Sequence, residues 1–213
     1  NVGGIIASYP AAASNATNLA ATETPYYYED AVKKTIGSSW VGFDGDYPAW
    51  ITDVSNTGTL TLTANTSYQD RTGTIRIKDK TAEDKYVYSD YITITQLGRI
   101  PTSATVTWGT NPSLGTAKVV GGETVAYASS KVTISGKESD NSTEFSSAEH
   151  TTGYTFVFSS NASSFVNDVN WITVNGGNFV VAPNTTGSSR TAYLFVCIQG
   201  KYVPVTSGTL TQN

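Results

Sequence analysis

Trp50-Ile51-Thr52-Asp53-Val54, a turn at Asn56-Thr57-Gly58, and Leu60-Thr61-Leu62-Thr63-Ala64-Asn65 alternate apolar and polar residues on both sides of a turn tripeptide, which is how a β-hairpin is written. The pattern recurs as Trp171-Ile172-Thr173-Val174, a turn at Asn175-Gly176-Gly177, and Phe179-Val180-Val181-Ala182-Pro183-Asn184. Six residues after each Asn stands an Arg-Thr pair, Arg71-Thr72 and Arg190-Thr191, leading into apolar strands with Ile75 and Ile77 or Leu194 and Val196. Lys85-Tyr86-Val87 then matches Lys201-Tyr202-Val203, and Thr93-Ile94-Thr95-Gln96 matches Thr209-Leu210-Thr211-Gln212. Agreement in order, spacing and alternation makes the chain two copies of one β domain.

Working outward, the joint falls at Leu97-Gly98-Arg99-Ile100-Pro101, so the expected domains are 1–98 and 101–213. Pro101 stiffens this short joint, and the expectation is a semi-rigid, end-to-end arrangement. Residues 1–21 form a small-residue extension that either pairs as a first strand or trails as a tether. The second front half predicts strands at Thr105–Trp108, Lys118–Val120, Thr124–Ala128, Val132–Ser135 and Tyr154–Phe158, with a long, exposed polar loop at 136–150. Ala31-Val32-Lys33-Lys34 is the one stretch that could pass for a helical turn. Short strands and frequent turn residues give an all-β fold class: two tandem immunoglobulin-like antiparallel β-sandwiches.

Composition narrows function. The 213 residues carry 13 Lys plus Arg against 17 Asp plus Glu, with no basic stretch, so nothing drives the counterion release that nucleic-acid binding needs. One Cys excludes an internal disulfide, and one Cys with one His excludes the usual zinc ligand sets. Cys197 and His150 are the sole formal Cys-His pair. No apolar run approaches the roughly 18 residues of a membrane span. The chain opens on Asn1 without a basic flank, which reads as a mature or trimmed chain.

The order Trp-Ile-Thr, hairpin, Asn, Arg-Thr and closing Ile-Thr-Ile-Thr-Gln strand resembles the Bacteroidetes-associated carbohydrate-binding often N-terminal (BACON) domain. The resemblance rests on Trp50, Asn65, Arg71 and Gln96, and on Trp171, Asn184, Arg190 and Gln212. It implies an immunoglobulin-like sandwich in an exported, often lipid-anchored protein of gut Bacteroidetes or their phages, with any lipid anchor outside this chain. It implies carbohydrate or mucin binding, or a spacer role, and supplies no ligand residues. The second copy departs from the pattern at Ser207 and Gly208, and Pro204 predicts that its closing strand lies at a sheet edge.

Sugar recognition needs exposed aromatic faces beside a few polar groups. Trp50 and Trp171 read as core plugs. The candidate stacking residues are Trp40 and Tyr47, in a Gly- and Asp-rich loop, and Tyr26, Tyr27 and Tyr28, whose rings must alternate faces if extended. Tyr86, Tyr88 and Tyr91 form a second outward set. Where the first copy places Thr74, Arg76 and Lys78 outward, the second has Tyr193, Phe195 and Cys197, and Val180 replaces Thr61. Val180, Tyr193 and Phe195 are therefore a candidate protein-contact face, covered by the domain's own front half, another domain or another subunit.

Catalysis and cofactors have no support. Asp44-Gly45-Asp46 is too short for a metal loop, and Glu138, Asp140, Glu144, Glu149 and His150 read as a solvated surface. The expected function is a non-catalytic carbohydrate-binding module at the cell surface, with no enzyme activity, metal or cofactor. The alternative is a structural spacer, adhesin stalk or phage virion component without a sugar site.

Overall fold

A computed structural model describes residues 6–9, 16–18, 26–29, 31–35, 42–44, 47–54, 59–80, 84–89, 91–112, 114 and 122–213. These are all-β, with no helix among the described residues. The chain forms two compact units, one of Asn1–Arg99 with Glu138–Asp140, the other of Ile100–Lys137 with Asn141–Asn213.

The first unit holds β1 (Ile6–Tyr9), β2 (Ala16–Asn18), β3 (Tyr26–Glu29), β4 (Val32–Thr35), β5 (Gly42–Asp44), β6 (Ile51–Val54), β7 (Thr59–Leu62), β8 (Arg71–Lys80), β9 (Tyr86–Tyr88) and β10 (Ile92–Gln96). One sheet runs β1-β10-β8-β5 with β9 also on β8, a second runs β2-β7-β6, and β3 pairs with β4. The second unit holds β11 (Ile100–Thr110), β12 (Glu123–Ala126), β13 (Ala128–Lys137), β14 (Ala148–His150), β15 (Tyr154–Ser159), β16 (Ile172–Asn175), β17 (Asn178–Val181), β18 (Arg190–Ile198) and β19 (Lys201–Gln212). Its sheets run β14-β13-β11-β19-β18-β15 and β12-β17-β16. Each unit is thus an immunoglobulin-like sandwich.

Alternation decides which faces close on the core. Along β10, Ile92, Ile94 and Gln96 are buried while Thr93 and Thr95 are half-exposed, and Ile51, Leu62 and Ile75 complete the first core. The second core is aromatic. Phe179 is fully buried, with Tyr127 stacked on it at 4.3 Å and Phe158 edge-on at 5.1 Å. The β16–β17 hairpin turns at Gly176 and Gly177, with φ of 54° and 82°, the two positive values a type I′ turn demands.

Both copies use one register. Arg71 stands opposite Gln96 and Thr72 opposite Thr95, as Arg190 stands opposite Gln212 and Thr191 opposite Thr211. Beyond the middle of the ladder the copies part. In the first, Arg76 and Ile77 face the three residues Ser89–Tyr91, whereas in the second Leu194 alone faces Val205–Gly208. The larger bulge shifts the tip by two residues, so Tyr202, opposite Cys197, occupies the place of Tyr88, opposite Lys78, rather than of Tyr86.

Several expectations are corrected. β19 lies between β11 and β18 and is not an edge; Pro204 is tolerated because it opens the bulge, where Ser207 takes φ of 62°. Ala31, with φ of 63°, turns the chain between β3 and β4, so 32–35 are strand and not helix. The 136–150 segment is not one open loop: Lys137 bridges to Glu144, Phe145 is buried, and 148–150 pair with β13. Glu138 is only 7% exposed and ion-pairs with Arg99 at 3.2 Å, since a carboxylate this enclosed needs a cation. Of the two fates open to the N-terminal extension, Ile6–Tyr9 pairs in parallel with Thr93–Gln96 as a first strand. The strand expected at Lys118–Val120 lies outside the described residues.

Candidate functional site

The motif residues do internal work. Arg71 donates from Nε and Nη2 to Gln96 Oε1 at 2.9 and 2.7 Å, and from Nη2 to the Thr63 carbonyl at 2.5 Å. Its guanidinium lies 4.8 Å from the centroid of the Trp50 ring. Arg190 repeats this on Gln212 Oε1 at 2.8 Å, the Ala182 carbonyl at 2.9 Å and the Trp171 ring at 4.3 Å. Asn65 Nδ2 donates to the Gln69 and Leu97 carbonyls, and Asn184 Nδ2 to the Ser188 carbonyl. Trp50 and Trp171 are half-buried under these cations rather than sealed in the core as expected. The family signature therefore ties the hairpin, the loop after it and the last strand together.

The outward face of the first unit is chemically richer. Cross-strand register sets Lys78 opposite Tyr88 and Lys80 opposite Tyr86, on one face of the β8–β9 ribbon. Arg76 lies over the Tyr88 ring at 4.3 Å and reaches Tyr91 at 5.4 Å, while Lys78 lies over Tyr86 at 4.1 Å. The three rings remain 51%, 37% and 54% exposed for Tyr86, Tyr88 and Tyr91. Strand β3, which carries Tyr26, Tyr27 and Tyr28, approaches β9 in the backbone. Arg76 and Lys78 were missed in the sequence reading as partners of these rings; the signal was the alternation Arg76, Lys78, Lys80 in the second half of β8, readable only once the hairpin register is known.

The other sequence candidates fall in several places. Trp40 lies outside the described residues, and Tyr47 is exposed next to Pro48, whose ring fills the space a Cβ on Gly73 would need. Val180 is 41% exposed and Tyr193 half-buried, but Phe195 is fully buried. Phe165, from the β15–β16 connection, packs edge-on to Phe195 at 6.0 Å and stacks on Tyr202 at 4.0 Å, so Phe195 is no part of an open contact face.

No catalytic constellation is present among the described residues. His150 on β14 and Cys197 on β18 have β13, β11 and β19 between them, too far apart for a dyad. Groups of three or more His, Cys, Asp or Glu suited to a metal ion are likewise missing among the described residues. Burial, and then the neighbouring Tyr154, push the Tyr127 phenol above its ordinary pKa.

These features define the class: a repeated immunoglobulin-like sandwich whose first unit carries an exposed, cation-lined tyrosine face. The family model described as "BACON: Putative binding domain, N-terminal" matches residues 38–97 and 155–213, more than half the chain, and the chain belongs to that family as a tandem pair. No curated protein matches it. Among solved structures it is similar to murine CEACAM1b (12% identity, TM-score 0.36, covering 99% of this chain and 96% of that one). It is also similar to extracellular domains 3–5 of Drosophila OTK (8%, TM-score 0.33, 95% and 59%) and to Drosophila N-cadherin EC1-4 (10%, TM-score 0.29, 98% and 48%). The chain thus spans just over half of the OTK fragment and just under half of the N-cadherin fragment.

Proposed function

We propose that the protein is a non-catalytic, extracellular glycan-binding module that engages glycan or mucin through the tyrosine face of its first unit. The observation that carries this reading is the β8–β9 ribbon, where Tyr86, Tyr88 and Tyr91 stay exposed although cations hold them in place. Rings fixed before the ligand arrives lose little entropy on binding, and an exposed phenol offers both an apolar face and a hydroxyl to a sugar. Tyr26, Tyr27 and Tyr28, on the strand whose backbone approaches β9, are further candidates, and Trp40 and Tyr47 flank β5 in sequence. No helix among the described residues is long and apolar enough to cross a membrane.

A spacer or virion role is the second reading. It is favoured by one observation, that the whole family signature is consumed in holding each sandwich together. Affinity electrophoresis of the chain against mucin and plant polysaccharides separates the two. Retardation lost in a Tyr86→Ala/Tyr88→Ala variant that stays folded supports the glycan reading, with Trp40→Ala testing the loop. A chain that runs freely through every polysaccharide sinks that reading for those glycans and leaves the spacer.

A further inference from the structure

The second unit has an open side. β15 ends the six-stranded sheet and β16 ends the three-stranded sheet, and the two face each other without a ladder between them. Two clefts lie along this side, of about 290 and 310 Å³. They share Phe156 and Val174 as lining residues, so the two clefts adjoin. One half is walled by Tyr127, Ser129, Thr152, Tyr154 and Thr155, the other by Val157, Asn167, Asn170 and Thr173.

The chemistry of this lining is selective. Neither cleft is lined by a residue that is charged at neutral pH. It offers phenols, hydroxyls and carboxamides, which donate and accept hydrogen bonds without a net field, over an apolar floor of Phe156, Phe158, Val169, Ile172 and Val174. The aromatic wall is rigid: Tyr127 is stacked on Phe179, Tyr154 is edge-on to Phe156 at 5.6 Å, and the Tyr154 hydroxyl is 3.1 Å from Ser129 Oγ. An added peptide strand is disfavoured, because the connection after β15 folds back over its end. Ser159 Oγ accepts from the backbone N–H groups of Asn161 and Val166 and donates to the Ser164 carbonyl, so the strand edge is capped there.

We propose that this groove is a second binding site, for a neutral oligosaccharide lying between β15 and β16. It is separate from the tyrosine face of the first unit, and each can fail without the other. The test is backbone amide NMR of the ¹⁵N-labelled full chain, titrated separately with neutral cello-, xylo-, manno- and galacto-oligosaccharides and with an extended hexapeptide. Saturable shifts confined to residues 127–129, 152–157 and 167–174 are expected with at least one sugar. Asn170→Ala and Tyr154→Phe should each weaken that binding about five- to tenfold, the effect of one lost hydrogen bond. Asn170 is exposed, so its variant keeps the test valid if Tyr154→Phe perturbs the fold. No shift in these segments with any sugar overturns the proposal, as do shifts that survive both substitutions, and shifts given by the peptide alone would make the groove a strand-addition site instead.

Discussion

In the first unit Arg76 and Lys78 lie over Tyr88 and Tyr86 on an open face, whereas in the second the matching ladder carries Phe195, sealed beneath Phe165, and Cys197 opposite Tyr202. The loops after the hairpins differ as sharply. Asn65 and Tyr68 are buried against the strand that closes the first unit, with the Arg99 N–H donating to the Ser67 carbonyl at 2.9 Å, while Asn184 is half-buried and Gly187 stands where Tyr68 does. Beneath both differences the Arg-Gln-Trp clusters share three contacts: Arg Nε on Gln Oε1, Arg Nη2 on the carbonyl at the end of the hairpin, and the guanidinium over the Trp ring. The lesson is that the signature fixes the backbone and leaves each outward face free to acquire its own chemistry.

The comparison can be broken most forcefully in the aromatic core of the second unit. Phe179→Ala removes the ring on which Tyr127, Phe156 and Phe158 converge, and should cost about 3–5 kcal/mol. Urea unfolding should show an earlier transition in the second unit, with Ile75 and its neighbours in the first unaffected. Arg71→Ala and Arg190→Ala come next, at about 1.5–3 kcal/mol each for charge-assisted bonds. Lys should not rescue either, since it cannot bridge a carbonyl and a Gln amide while covering a ring. Unequal costs, by more than about 1 kcal/mol, would show that the clusters are not equivalent.

Smaller effects sharpen the contrast. A Cβ on Gly73 would sit 2.4 Å from Pro48 Cγ and 3.3 Å from Trp50 Cζ2, whereas its counterpart Ala192 is accommodated and fully buried. Gly73→Ala should therefore destabilise by about 1–3 kcal/mol through overpacking. Ala192→Gly should destabilise by about 1 kcal/mol through a lost methyl and a looser chain. The smallest effect belongs to Asp168, whose carboxylate accepts from the Ser160 hydroxyl and, at 3.1 Å, from the Ser160 N–H, holding its pKa below the ordinary value of 3.8. A depressed carboxylate pKa stabilises the fold above the unfolded value, and that contribution is lost as pH falls through the lower, folded one. Asp168→Asn should flatten the acid limb of the second unit's stability profile slightly, a difference that thermal melts between pH 5 and 2 would register.

Much of the architecture was legible because alternation and turn residues are local. The hairpins at 51–62 and 172–181 follow from period and spacing alone, whereas Arg71 and Gln96 were readable as repeated motif residues but not as a pair. What stayed hidden depends on how many residues a bulge absorbs. Pro204 looked like an edge residue, and Tyr202 like the twin of Tyr86, because a linear alignment cannot see four residues facing one. Glu138 looked solvated because its partner Arg99 is thirty-nine positions away, and of the covers the sequence allowed for Phe195 the structure uses the domain's own front half, through Phe165. The cation-covered tyrosines share that cause: each strand showed its alternation, but only the register joins them.

The first unit closes by pairing its first strand in parallel with its last, Ile6 beside Thr93 through Tyr9 beside Gln96. When a chain is drawn out from the start of one such strand and the end of the other, the two slide past each other, and their hydrogen bonds are loaded together instead of opening one at a time. A surface protein held at one end and pulled at the other would meet that resistance in this pair before any core residue is exposed. The strand that completes the sheet is thereby also the unit's mechanical latch.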